Sequence, residues 1–132
     1  MVLTEPELFH YLKEFYYPDL EMSTDKHSKH DCISDGYGLY IELKSRNKHY
    51  DDLLIEKVKY DAIFEGAIKH KYLAYYINST PEGIWSFNLA ELPVPEWEER
   101  WLPQNTEFSA RGNKTKVVGY LHIKDEIGRA HV

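Results

Sequence analysis

His30-Asp31-Cys32-Ile33-Ser34-Asp35-Gly36-Tyr37-Gly38-Leu39-Tyr40-Ile41-Glu42-Leu43-Lys44-Ser45-Arg46 is the stretch on which the fold turns. Asp35-Gly36 tolerates the positive φ values of a tight hairpin loop, and Tyr37 to Lys44 alternates as a strand should. Successive strand side chains leave opposite faces, so Leu39, Ile41 and Leu43 form an apolar face, and Tyr40, Glu42 and Lys44 a polar one. A two-residue loop at Asp35-Gly36 sets Asp31 opposite Tyr40, with Glu42 diagonally beside it on the same surface. A four-residue loop keeps that parity, whereas a three-residue loop sends Asp31 to the other face. With an even loop, an aspartate, a glutamate and a lysine converge. Two carboxylates suit a hard divalent cation, and the Leu43 carbonyl is available as a third oxygen.

Working outward, the chain upstream opens with Thr4-Glu5-Pro6-Glu7, a helix start with a capping residue, a proline in the first turn and a capping-box glutamate. Leu8, Tyr11, Leu12 and Phe15 make its buried stripe, and Pro18 ends it. Asp19 to Lys26 reads as a strand with Leu20 and Met22 on one face, followed by the polar loop Lys26 to His30. His27 and His30 have no cysteine partner and no helical i, i+4 spacing, which disfavours a zinc site.

Downstream, Ser45 to His49 is a basic connector and Tyr50 to about Lys69 is expected as one helix, with Leu53 or Leu54, Val58, Ala62 with Ile63, and Ala67 as its stripe. Lys71 to Ser79 and Gly83 to Ala90 read as two hairpin-connected strands around Thr80-Pro81-Glu82-Gly83. Glu96 to Leu102 sets Trp97 and Trp101 one helical turn apart, a core pair or a dimer contact. Arg111 to Lys116 is a basic loop before the strand Val117 to Ile123.

The order Asp31, turn, Glu42-x-Lys44 resembles the signature of the PD-(D/E)xK nuclease superfamily, the restriction-endonuclease-like fold shared by many restriction enzymes and Holliday-junction resolvases. The resemblance runs from the opening helix to the strand near Tyr75, and the order helix, three strands, helix, strand agrees with it. It departs in two places: His30 precedes Asp31, and the literal Pro-Asp pair is Pro18-Asp19, so Asp19 and Asp35 remain lesser candidates. The family implies Mg²⁺ or Mn²⁺ on Asp31 and Glu42, with Lys44 orienting or helping to deprotonate the attacking water. It also implies an acidic residue of the first helix, for which Glu5 is the candidate by its position toward the Leu8 and Leu12 stripe. Some members carry a glutamine and a tyrosine four residues later in the second helix; Glu56 and Tyr60, beside Lys57, match in part. Lys29, Arg46, Lys57 and Lys114 are the candidate nucleic-acid contacts. The bland alternative for each is a solvated charge, a common turn or a helix-dipole partner.

The 132 residues suit one domain, 1–132, with a core at about 4–90 and an elaboration at about 91–132. Its expected class is α+β or α/β, a mixed central sheet of about five strands flanked by helices, with an αβββαβ core. One cysteine excludes an internal disulfide and a cysteine-built zinc cluster, and no apolar run is of bilayer length; a cytoplasmic protein is expected, in a host cell if phage-encoded. The net charge of −6 argues against coating of nucleic acid by bulk electrostatics, yet cation-binding carboxylates contribute to that count.

The functional expectation is a metal-dependent nuclease that hydrolyses phosphodiester bonds of DNA, with RNA left open, structure-selective or non-specific, and with a homodimer as an option. The alternative is a catalytically inactive module of the same fold, or an unrelated α+β module, that binds nucleic acid or a protein partner.

Overall fold

Thr4 closes a capping box: its side chain accepts from the Glu7 amide at 3.3 Å and the Glu7 carboxylate accepts from the Thr4 amide at 2.9 Å. From this start the first helix, α1, runs Glu5–Phe15 and buries Leu8 and Leu12. A computed structural model of the chain describes residues 2–23, 31–103 and 113–130. Its further elements are β1 (Glu21–Met22), β2 (Asp31–Ser34), β3 (Leu39–Ser45), β4 (Asp52–Glu56), α2 (Lys57–His70), β5 (Leu73–Thr80), β6 (Gly83–Asn88), β7 (Glu98–Pro103), β8 (Asn113–His122) and β9 (Gly128–Ala130).

Six strands form a mixed sheet in the order β1-β2-β3-β5-β6-β9, and three form a second sheet in the order β4-β8-β7. β3 and β5 are parallel, joined through β4 and α2, and the other neighbours are antiparallel. The chain is thus mixed α+β, with one strand more in its main sheet than the five expected. Alternation in β3 divides two cores. Leu39, Ile41 and Leu43 pack with Leu8 and Leu12 of α1, whereas Tyr40 packs with Ile63 and Ala67 of α2 and Leu53 and Ile55 of β4. The main sheet therefore lies between α1 on one side and α2 with the small sheet on the other.

Two expectations are corrected. The helix sought from Tyr50 begins only at Lys57, because Leu53 and Ile55 alternate into the core and pair with Leu121 and Gly119 of β8. The helical stripe accordingly falls on Tyr60, Ile63 and Ala67, and Val58 is left 70% exposed. Trp97 and Trp101 are not a helical pair, since Trp97 lies just before strand β7 and Trp101 within it; Trp97 meets Tyr60 edge-on at 5.1 Å and Trp101 is exposed. The strand expected at Asp19 to Lys26 is seen at Glu21–Met22, and its far end lies outside the described residues, as do His27, Lys29, His30 and Arg111.

The C-terminal segment is woven into both sheets. β8 pairs with β4, and β9 adds to the edge of β6. Among the described residues, no helix is long and apolar enough to cross a membrane.

Candidate functional site

Ser34 pairs with Leu39, so the hairpin turn is the four residues Asp35 to Gly38, and Gly38 takes a φ of 66° that an L side chain rarely adopts. The loop is even, as the parity argument required, but longer than Asp35-Gly36 alone. Its length moves the partner of Asp31 from Tyr40 to Glu42: the two acids stand directly opposite across the antiparallel pair. Opposed residues carry their Cα atoms about 4.5–5.5 Å apart. Tyr40 becomes the diagonal neighbour, and its hydroxyl donates to Asp31 Oδ2 at 2.6 Å.

Asp31 and Glu42 are 4% and 7% exposed. Like charges about 4 Å apart repel by about 4 kcal/mol in a protein-like medium, so a buried pair of ionised carboxylates calls for a counter-charge. Lys59 of α2 provides one, with Nζ 3.9 Å from Glu42 Oε1. Gly66 makes the remaining room: a Cβ there would lie 2.3 Å from the Tyr40 ring, so glycine lets the ring pass beneath α2 to Asp31.

Lys44 continues the same face. Burial holds its ammonium below the usual lysine range, helped by the neighbouring Arg46 and opposed by Glu5 and Glu56. Arg46 itself turns inward. Its guanidinium donates to Asn78 Oδ1 at 2.7 Å, to the Tyr76 hydroxyl at 3.0 Å and to the Leu54 carbonyl, which ties the end of β3 to β5 and β4. Because a guanidinium only donates, the Asn78 atom it meets is oxygen, and Asn78 Nδ2 is left buried without a hydrogen-bond partner among the described residues.

Glu5 lies at the end of β3, where its Oε1 accepts from the Ser45 amide at 3.4 Å. Leu3 fixes this end of α1, donating to Ser79 Oγ at 3.0 Å and accepting from Ser45 Oγ at 2.7 Å. Glu5 is thus near Lys44 electrostatically but does not close on the Asp31 and Glu42 pair, and no group of three or more His, Cys, Asp or Glu able to hold a metal ion occurs among the described residues. Glu56 pairs with Lys116 at 3.3 Å. Lys57 pairs with Asp61 at 2.7 Å and lies 5.9 Å over the Trp97 ring. Lys29 and the side chain of Lys114 lie outside the described residues.

The competing aspartates are at the other end of the hairpin. Asp19 accepts from Ser34 Oγ at 2.7 Å and from the Gly36 amide at 2.6 Å, and these bonds hold its carboxyl below the usual range. Asp35 accepts from the Tyr72 hydroxyl at 2.5 Å. Both serve the turn. Cys32 points into the α1 core, where burial pushes its thiol up to about 12, so it is no nucleophile at neutral pH.

Comparison with protein-family models, curated proteins and solved structures gives no match. The chemistry of the site therefore has to come from its own donor set. Asp31 and Glu42 present carboxylate oxygens on one face, a donor set compatible with a hard divalent cation of the Mg²⁺ type, which takes one or two carboxylates and keeps several waters. Lys59, Asn78 and the Tyr40 hydroxyl are contributions that reading the sequence missed. The approach of Lys59 to Glu42 depends on how α2 lies across the sheet, and Asn78 is engaged only because Arg46 folds inward onto it.

Proposed function

We propose that the chain is a metal-dependent nuclease of the restriction-endonuclease-like kind, acting on phosphodiester bonds of DNA. The observation that carries the proposal is the register Asp31 opposite Glu42, with Lys44 next on the same face of β3. Element order supports it: α1, β1, β2, β3, α2 and β5 run as αβββαβ, with β3 parallel to β5 and β4 inserted before α2.

Asp31 and Glu42 would hold Mg²⁺ or Mn²⁺. When bound, such an ion would polarise the scissile phosphate and offset the charge that builds on it. Tyr40 fixes one carboxylate oxygen of Asp31 and so orients that ligand. Lys44 presents a cation to the phosphate and orients the attacking water. Glu5, at the rim beside Ser45, would steady water at the edge of the site. Arg46 supports β3 from within and makes no phosphate contact, which leaves Lys57, Lys29 and Lys114 as the proposed contacts to the nucleic-acid backbone.

The internal commitment of Arg46 and the net charge of −6 favour a second reading, a catalytically inactive module on the same frame. Incubating the purified protein with branched, duplex and single-stranded DNA separates the two. The nuclease predicts cleavage with Mn²⁺ that EDTA abolishes and that Asp31→Asn, Glu42→Gln and Lys44→Ala each reduce at least about 100-fold. Intact substrate under all conditions would favour the inactive module.

A further inference from the structure

Lys59 carries the strongest inference beyond the proposed chemistry. It is half exposed, on the first turn of α2, while the carboxylate it faces, that of Glu42, is 9% exposed. At 3.9 Å the contact is an ion pair without a hydrogen bond, and no other cationic group comes within 4.0 Å of Glu42 among the described residues. Among the described residues, the buried acid is thus balanced by one ammonium, on a flexible and half-exposed stem. Its neighbours on the helix are arranged otherwise: Lys57 is tied to Asp61 at 2.7 Å.

We infer that Lys59 is a displaceable counter-ion, neutralising Glu42 while the site is empty and giving way when a hard divalent cation such as Mg²⁺ or Mn²⁺ arrives, an inference that rests on the metal site proposed above. A +2 ion bound by both carboxylates supplies more charge than the ammonium, and the half-exposed side chain can swing into solvent at little cost. Two effects of opposite sign follow from one residue. Without metal, removing the ammonium leaves a buried carboxylate unbalanced and lowers stability. With metal, it removes a competing charge and tightens binding.

The test is the full chain as wild type, Lys59→Met, Lys59→Arg and the distant exposed Lys69→Met, each titrated with MnCl₂ by calorimetry and melted with and without the ion. Solvent screening limits the effect, so Lys59→Met is expected to bind Mn²⁺ about three to ten times more tightly than wild type. It should also melt a few degrees lower in EDTA, whereas Lys59→Arg and Lys69→Met stay close to wild type. Equal or weaker Mn²⁺ binding by Lys59→Met, beside clear binding by wild type, overturns the counter-ion and leaves the metal site standing. Absence of binding in all four proteins overturns both.

Discussion

Asp19 shows how a residue's chemistry is set by its partners rather than by its motif. It follows a proline, completing the literal Pro-Asp pair of this sequence, yet it spends both carboxylate oxygens on the Ser34 hydroxyl and the Gly36 amide. Those bonds favour the ionised form, so its pKa is lower folded than unfolded. The stabilisation is therefore complete above the unfolded value near 3.8 and is lost as pH falls through the lower folded value. Asp19→Asn should melt below wild type at pH 7, with the gap closing as the solution is taken well below pH 3.8; thermal melts across that range read it directly. A gap unchanged at the lowest pH would mean that the charge of Asp19 does not hold the turn. At this scale the direct opposition of Asp31 and Glu42 comes from the four-residue turn, where a two-residue turn would set Asp31 opposite Tyr40, but their shared face was legible in advance, given an even loop. Lys59 was not, since its approach to Glu42 depends on how α2 lies across the sheet.

Among the elements, the hairpin and the β5 and β6 pair were legible from alternation and turn chemistry, whereas β4 was hidden. Asp52 to Glu56 contains Leu53, Leu54 and Ile55 in succession, a run that fits a helix stripe or a buried strand equally well. Its strand state is decided by β8, more than fifty residues later, where Leu121 and Gly119 face Leu53 and Ile55. The same tertiary control governs Gly66. Helix propensity alone favours Gly66→Ala by about 1 kcal/mol. The new methyl would sit 2.3 Å from the Tyr40 ring, which is 4% exposed and tied to Asp31 through its hydroxyl. Overpacking wins, and Gly66→Ala is expected to destabilise by about 1–3 kcal/mol in denaturant unfolding. A more stable variant would show that the ring has room to move, and with it the Asp31 carboxylate.

For the molecule as a whole, an α+β or α/β class with a mixed sheet and the division of faces were legible in the sequence, whereas the chain from about residue 91 read as an elaboration. The structure makes it a structural partner, because β8 covers β4 and supplies Leu121 to the core shared by Tyr40, Tyr76 and Ile63. A fragment ending at residue 91 is accordingly expected to lose cooperative unfolding and near-ultraviolet circular dichroism, since Leu53 and Ile55 would be left without a pairing strand. A fragment that melts in a sharp transition would restore the independent core. The polar face that this arrangement encloses, from Asp31 and Glu42 to Lys44, is what the functional proposal depends on.

Calorimetric titration of Mn²⁺ into the wild type, Asp31→Asn and Glu42→Gln tests that proposal most directly. Saturable binding by the wild type is expected, weakened at least about tenfold by either substitution because both carboxylates would belong to one site. Wild-type binding that survives both substitutions, or no binding at all, would contradict it.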